Sequence, residues 1–116
     1  MRSMNANELR RLCLELPAAR EEFPFRPGLS VFKVGTRMFA LCALADEPLR
    51  VSVKCEPELG EQLRHTYPSI IAGYHLNKRH WLTITADRSV PDELVRNLVH
   101  GSYELVAPAA RRGPRR

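Results

Sequence analysis

Three absences narrow the class of protein that this sequence can encode. No apolar run approaches the ~18 residues that a membrane-spanning helix requires, and residues 1–5 lack the apolar core of a secretory signal peptide. The three cysteines, Cys13, Cys42 and Cys55, are an odd number without paired spacing, which argues against a disulfide framework. We therefore expect a soluble protein of a reducing compartment, the cytoplasm, with no membrane partner.

Motifs for catalysis and for metal binding are also missing. His75 and His80 are separated by four residues, and together with the distant Cys55 they do not form a recognised zinc pattern. Cys42 and Cys55 lie in strand-like apolar segments that are expected to bury them, where a thiol has no reason to ionise. We therefore expect a protein that is not an enzyme and that carries neither a cofactor nor a metal ion.

The positive charge of the chain is concentrated at its C-terminus. The net charge is +5 at pH 7, but four arginines lie in the last six residues, and without them it falls to +1. Affinity for phosphate depends on clustered cations rather than on bulk charge, so the high pI alone is weak evidence for a polyanionic partner. We predict one monomeric domain over residues 1–107 and a basic, disordered tail over residues 108–116.

Helical periodicity predicts three helices. Residues 5–16 carry apolar side chains on one stripe, and Pro17 ends that helix. Residues 57–65 begin with a proline and have acidic residues near the start and basic residues near the end, which suits the helix dipole. A third helix opens at Pro91, and Gly101 is expected to break it into two short pieces.

A β-hairpin is predicted in the first half of the chain. Residues 31–34 and 37–44 form its strands, and Gly35 supplies the positive φ that a tight turn needs. The second strand has apolar residues at both its odd and its even positions, so it should be central in the sheet and covered on both faces. Residues 21–27 contain two prolines and two phenylalanines, which predicts an edge strand or packed loop whose rings are buried.

Two further strands flank a helix and a long loop. Residues 49–55 alternate between apolar and polar side chains, which predicts a strand with one face in water. Residues 68–79 show no periodicity and are expected to be a loop, and residues 80–86 form the last strand. Grouped strands with helices before and after them predict an α+β fold, a two-layer sandwich with an antiparallel sheet and helices on one face. The polar side chains facing water in the first of these strands are Arg50, Ser52 and Lys54.

The segment 74–81 is the strongest candidate for a functional site. It combines two histidines, two cations, an amide and two aromatic residues, and no acidic residue occurs between Arg64 and Trp81. This combination suits a nucleic-acid-binding site. The cations would contact phosphates, the amide or imidazole groups would hydrogen-bond a base edge or a phosphate, and an aromatic ring would stack on a base. Arg50 and Lys54 would extend this surface if their strand neighbours residues 80–86. The candidate nucleic-acid-binding residues are Arg50, Lys54, His75, Asn77, Lys78, Arg79, His80 and Trp81.

A purely structural interpretation of the same segment is also open. Trp81 would then fill a gap in the core, and His75 and Asn77 would satisfy backbone groups of the irregular loop. Lys78 and Arg79 would be ordinary surface cations.

The sequence resembles the MmcQ/YjbR family of small bacterial proteins over nearly all of residues 21–106. The resemblance implies a fold like that of the bacterial frataxin CyaY and implies DNA binding through a double-wing motif. The first helix offers only Glu8 and Glu15, so the acidic iron-binding ridge of frataxins does not carry over. The matching segments are Phe23-Pro24-Phe25, Val31 to Gly35, Met38-Phe39-Ala40, Val53-Lys54-Cys55 before Pro57-Glu58, Tyr74 to Trp81, Val90 to Val95, and Ser102-Tyr103.

Two functions follow as hypotheses. The first is weak, largely sequence-independent DNA binding through the basic aromatic loop, with three or four phosphate contacts and a log–log salt slope of about −3. The alternative is a protein-interaction or small-ligand-binding module in which residues 74–81 line a pocket. A concave site bordered by Trp81 and His75 would favour the alternative, and a flat basic surface would favour DNA.

Overall fold

A computed structural model describes residues 4–107, which form one six-stranded sheet and three helices. The predicted tail, residues 108–116, lies outside this range. The elements are α1 (Ala6–Leu14), β1 (Arg20–Glu22), β2 (Leu29–Val34), β3 (Arg37–Ala43), β4 (Arg50–Lys54), α2 (Pro57–Thr66), β5 (Ile70–Ala72), β6 (Trp81–Thr85) and α3 (Asp92–Val106).

The strands are arranged in the order β1-β2-β3-β4-β6-β5, and every neighbouring pair is antiparallel. The apolar side chains of the helices and of one sheet face form a single core cluster, so all three helices pack on the same face. The predicted α+β class, an antiparallel sheet with helices on one face, is confirmed. The opposite face carries no helix among the described residues, and we call it the open face.

The first helix begins where its sequence indicates and ends at Leu14, two residues before the predicted end. The side chain of Asn5 accepts a hydrogen bond from the Glu8 amide, and the Glu8 carboxylate accepts one from the Asn5 amide, which completes a capping box. Leu9 and Cys13, on the inner side of the helix, are fully buried. The Tyr103 hydroxyl donates to the Pro17 carbonyl at 2.6 Å and so ties α3 to the end of this helix.

The prediction that Gly101 breaks the third helix is wrong, because α3 runs without interruption from Asp92 to Val106. Glycine costs about 1 kcal/mol in a helix relative to alanine, and contacts made beyond it outweigh that cost. The Ser102 hydroxyl donates to the Phe39 carbonyl at 2.6 Å and accepts from the Lys54 amide at 2.8 Å. It satisfies both backbone groups just past the end of the β3–β4 ladder.

Two strand predictions also need correction. The segment expected to be a loop over residues 68–79 contains the short strand β5, which pairs with β6 from Ile70↔Ile84 to Ala72↔Leu82. Three residues are too few for a periodicity to be visible in the sequence. The phenylalanines expected to be buried are exposed: Phe23 is 53% and Phe25 is 62% accessible. Only Arg20–Glu22 pairs at the sheet edge, and the chain then leaves the sheet.

Candidate functional site: a groove on the open face

The floor of the candidate site is a row of side chains across the open face. Leu41, Ser52 and Thr83 lie opposite one another on β3, β4 and β6. The Ser52 and Thr83 hydroxyls share a buried hydrogen bond of 2.8 Å. Ser52 was predicted to face water, and it is buried instead, although it does lie on the predicted side of its strand. Leu41, on the strand predicted to be covered on both faces, is only partly covered.

Two loops flank this floor and form a groove of about 360 Å³. Phe25 and Arg26, from the β1–β2 connection, line one side. Tyr74 and His75, from the β5–β6 connection, line the other. Because β3 and β4 lie between these connections in the sheet, the groove is concave, and its base is formed by the sheet itself.

Tyr74 is fixed in place by contacts to the floor. Its backbone amide donates to the Thr83 hydroxyl at 2.9 Å. The Arg50 guanidinium lies over its ring, 5.1 Å from the centroid, a cation–π arrangement. The His75 ring lies 4.0 Å from the Tyr74 ring at an interplanar angle of 51°. These contacts place an aromatic ring, a guanidinium and an imidazole side by side at the edge of the groove.

Hydrogen bonds within the loop itself determine the shape of residues 73–80. The Asn77 side-chain oxygen accepts from the amides of Arg79 and His80, and the Lys78 ammonium donates to the Gly73 carbonyl at 2.7 Å. The prediction that Asn77 bonds a base edge therefore needs correction for its oxygen, which the backbone already uses. The Lys78 side chain is exposed, but its ammonium group is hydrogen-bonded to the backbone of its own loop.

Trp81 is not available as a stacking surface, which corrects another part of the prediction. Its side chain is 6% accessible. The loop backbone passes directly over it, since a Cβ added at Gly73 would lie 2.7 Å from the Trp81 Cβ. Backbone bonds from Gly73 to the Trp81 carbonyl and from Trp81 to the Asn77 carbonyl close the loop. Trp81 therefore supports the loop from beneath and is not part of the main core cluster, so the structural interpretation was right about its burial but wrong about its place in the core.

The condition for Arg50 and Lys54 to extend the loop surface is met. Their strand, β4, pairs with β6 along its whole length, with Arg50 opposite Thr85 and Lys54 opposite Trp81. Arg50 is exposed at one end of the groove, and Lys54 is half-buried at the other end of the strand. Arg79 and His80 are exposed on the loop, as predicted, but they do not line the groove.

Phe25 and Arg26 are the groove residues that sequence reasoning missed. They are separated from Tyr74 by almost 50 positions in the sequence, and they meet it only through the order of strands in the sheet. A signal was present in the segment Phe23-Pro24-Phe25-Arg26-Pro27, because its prolines prevent regular structure that would bury both rings. The sequence analysis predicted that both rings of this segment are buried, whereas the structure exposes them.

The three free cysteines are buried, which confirms the prediction for Cys42 and Cys55, and burial makes them poor nucleophiles. Desolvation raises the pKa of the Cys42 thiol to about 12, with a smaller contribution from the Asp46 carboxylate. Desolvation likewise raises the pKa of Cys13 and Cys55. Among residues 4–107 no group of three or more His, Cys, Asp or Glu side chains is arranged to hold a metal ion, and no helix is long and apolar enough to cross a membrane.

The fold is that of a small α+β protein with a groove on the open face of its sheet. Comparison with known proteins identifies its family. The YjbR family model matches residues 14–105, so the chain belongs to the YjbR family. It is 35% identical over 97 residues to a protein named YbdF from Escherichia coli O157:H7, covering 84% of this chain and 80% of that one. It is 34% identical over 101 residues to YjbR of Escherichia coli K12, covering 87% and 86%.

Solved structures agree with this assignment. A crystal structure of a Deinococcus radiodurans protein matches with a TM-score of 0.85 and 46% identity, covering 96% of this chain and 83% of that one. A Pseudomonas syringae protein matches with a TM-score of 0.75, covering 88% and 98%. Because its identity is 21%, the second match shows the shared fold alone.

Proposed function

We propose that this protein binds DNA, without catalysis, through the open face of its sheet. The observation that carries the proposal is the groove, where two exposed aromatic rings, Phe25 and Tyr74, lie beside the guanidiniums of Arg26 and Arg50. Cations supply the attraction to a phosphate backbone, and exposed rings supply a surface on which bases stack. Arg79 and His80 continue the basic surface along the adjoining loop.

The charge around the groove favours a polyanion. Asp46 is the one carboxylate that lines it among the described residues. The acidic side chains Glu21 and Glu22, which lie near the same sheet edge, form ion pairs with Arg10, Arg20 and Lys33. Their charge is therefore largely neutralised before a ligand arrives.

The binding is expected to be weak and largely independent of sequence. With about four arginine and lysine contacts, we expect dissociation constants of roughly 10⁻⁴–10⁻⁶ M at physiological salt and a log–log salt slope of about −3. Little base-edge recognition is expected, because the Asn77 oxygen and the Ser52 and Thr83 hydroxyls already have partners inside the protein.

The test is a titration of fluorescent oligonucleotides at several salt concentrations. The double variant Arg50→Gln with Arg79→Gln should weaken binding and reduce the magnitude of the salt slope by about 1 for each arginine. The matched control is Arg64→Gln with Arg96→Gln, which removes the same charge from exposed positions on α2 and α3. Equal losses in both variants, or a slope near zero, would contradict the proposal.

A chain ending at Ala110 separates the domain from the basic C-terminal residues. If the shortened chain binds with the same dependence on Arg50 and Arg79, the domain carries the activity. If it does not bind, the last six residues are responsible and the open face is not the site.

A second candidate function is supported by the concavity of the groove. Its volume lies at the lower end of the range for small-molecule pockets, and of the two residues that the pocket hypothesis requires at its border, His75 lines it. Trp81 does not line it. A small anionic aromatic ligand would use the same rings and guanidiniums as a nucleotide does.

We further propose that the protein is located in the cytoplasm and that it is a monomer. Three free cysteines without a disulfide support this placement, because disulfides are rare in a reducing compartment. A sedimentation experiment at micromolar concentration, with and without oligonucleotide, measures the assembly state directly.

A further inference from the structure

We infer that the groove holds an unpaired nucleotide, so that the protein prefers single-stranded to duplex DNA. The inference rests on the proposed function and names the form of DNA that it takes. In the bound state the base stacks on the ring of Phe25, and its phosphate is held by Arg50.

The aromatic rings are the first argument. Phe25 is 62% and Tyr74 is 51% accessible, although a phenylalanine ring in water forgoes a stabilisation of about 1.5–3 kcal/mol that burial would give. Two such rings border one groove from opposite sides. In duplex DNA each base is stacked between its neighbours, so only an unpaired base can offer its face to either ring.

Charge is the second argument. Arg26 lies next to Phe25 in the chain, and Arg50 lies over the ring of Tyr74 at 5.1 Å. Each aromatic ring is thus accompanied by a guanidinium, the group that binds phosphate oxygens in a bidentate manner. Each side of the groove thus combines a ring with a guanidinium, as each nucleotide combines a base with a phosphate.

The floor supplies the third argument, which concerns base preference. Leu41 offers only carbon atoms, and the Ser52 and Thr83 hydroxyls bond each other at 2.8 Å. Thr83 also accepts from the Tyr74 amide. With these groups already paired, the floor contributes contact area rather than base-edge hydrogen bonds, so all four bases are expected to fit.

The experiment compares three ligands: a twelve-residue oligothymidylate, a duplex of the same length, and thymidine monophosphate. We expect the single strand to bind about tenfold more tightly than the duplex at the same salt concentration, which corresponds to one stacked base. The mononucleotide is expected to bind at least tenfold more weakly than the oligonucleotide, because it lacks the neighbouring phosphates.

Phe25→Ala and Phe23→Ala form a matched pair of variants. Both remove an exposed phenylalanine from the same loop, but Phe23 does not line the groove. Phe25→Ala should weaken single-strand binding about tenfold and leave duplex binding unchanged, and Phe23→Ala should leave both within twofold. Phe25→Leu keeps the apolar bulk without the ring, and it should behave like the alanine variant.

The outcomes separate this inference from the proposed function. Equal, salt-dependent binding of both forms of DNA, unaffected by Phe25→Ala, would overturn the inference and leave the function standing. Failure of both forms to bind would overturn the function and the inference with it. Mononucleotide binding as tight as that of the oligonucleotide would also overturn the inference, in favour of a small-ligand site.

Discussion

The two faces of the sheet are built from the same strands, but they have different surroundings. On the helix-covered face, Phe32, Phe39, Val53 and Ile84 are completely buried in one core cluster. On the open face, Leu41 is only partly covered, and the aromatic side chains that flank it point into solvent. One face therefore contributes most of the stability of the fold, and the other carries the groove to which we assign the proposed binding.

This difference indicates where each kind of substitution should act. Burial of apolar area is the dominant stabilising contribution, so changes on the helix-covered face should alter the free energy of unfolding. Exposed side chains contribute little to stability, so changes around the groove should alter affinity alone. Substitutions on each face can break or sharpen this separation.

The largest effect is expected for Phe39→Ala on the helix-covered face. Phe39 is fully buried and meets the Tyr103 ring edge-on, with centroids 5.4 Å apart. The loss should be about 3–5 kcal/mol of unfolding free energy, measured by urea denaturation. Phe23→Ala, which removes the same side chain from an exposed position, should cost less than about 0.5 kcal/mol. Similar costs for the two variants would abolish the distinction between buried and exposed positions.

Gly73→Ala should produce the next largest effect, and it acts at the boundary between stability and binding. Its Cβ would lie 2.7 Å from the Trp81 Cβ and 3.2 Å from the Trp81 carbonyl oxygen, so the loop must move. We expect a cost of about 1–3 kcal/mol together with weaker oligonucleotide binding, because Tyr74 follows directly in the chain.

Gly101→Ala is the matched control for that variant. A Cβ at Gly101 would meet no atom within 4 Å, and the residue is exposed within α3. It should stabilise the protein by about 0.5–1 kcal/mol and leave binding unchanged. If Gly73→Ala were equally well tolerated, the close contact with Trp81 could not be what positions the loop.

Arg50→Gln should change affinity with little change in stability. Removing the guanidinium over Tyr74 is expected to weaken oligonucleotide binding about tenfold, and the melting temperature should stay within about 2 °C. Arg96→Gln on α3 provides the reference. A large fall in melting temperature for Arg50→Gln would mean that this arginine serves the fold rather than the site.

The smallest effect concerns alkaline pH and the helix-covered face. The buried thiols of Cys13, Cys42 and Cys55 have raised pKa values in the folded protein, so the thiols of the unfolded chain lose their protons first as pH rises. Stability should be constant at neutral pH and fall by about 1 kcal/mol in total between pH 7 and pH 9. Cys42→Ala, compared with itself at the two pH values, should show a smaller decrease, because only Cys13 and Cys55 then remain to ionise. An unchanged slope would show that the thiols do not cause it.

Much of the fold could be predicted because local patterns and tertiary packing agree. The capping residue Asn5, the turn glycine Gly35 and the alternation in β4 each specify their element within a few residues. Failures arose where distant contacts decide. The α3 helix continues through Gly101 because residues after it dock on the sheet, and β5 exists because a partner strand is present to pair with it.

The candidate site was predictable only on one side. The loop over residues 74–81 was recognised from its composition, and Tyr74 and His75 do border the groove. The burial of Trp81 depends on how closely the backbone at Gly73 approaches, which no sequence pattern indicates. The contribution of Phe25 depends on the strand order, which brings together loops that are remote in sequence.

The most direct measurement is a map of backbone amide chemical shifts during titration with oligothymidylate. The separation of the two faces predicts that shifts change at Phe25, Arg50 and Tyr74 and along the adjoining loop. The amide chemical shifts of the exposed helix residues Leu59 and Arg96 should not change from those of the free protein. Changes concentrated on the helices, with none around the groove, would contradict the assignment of binding to the open face.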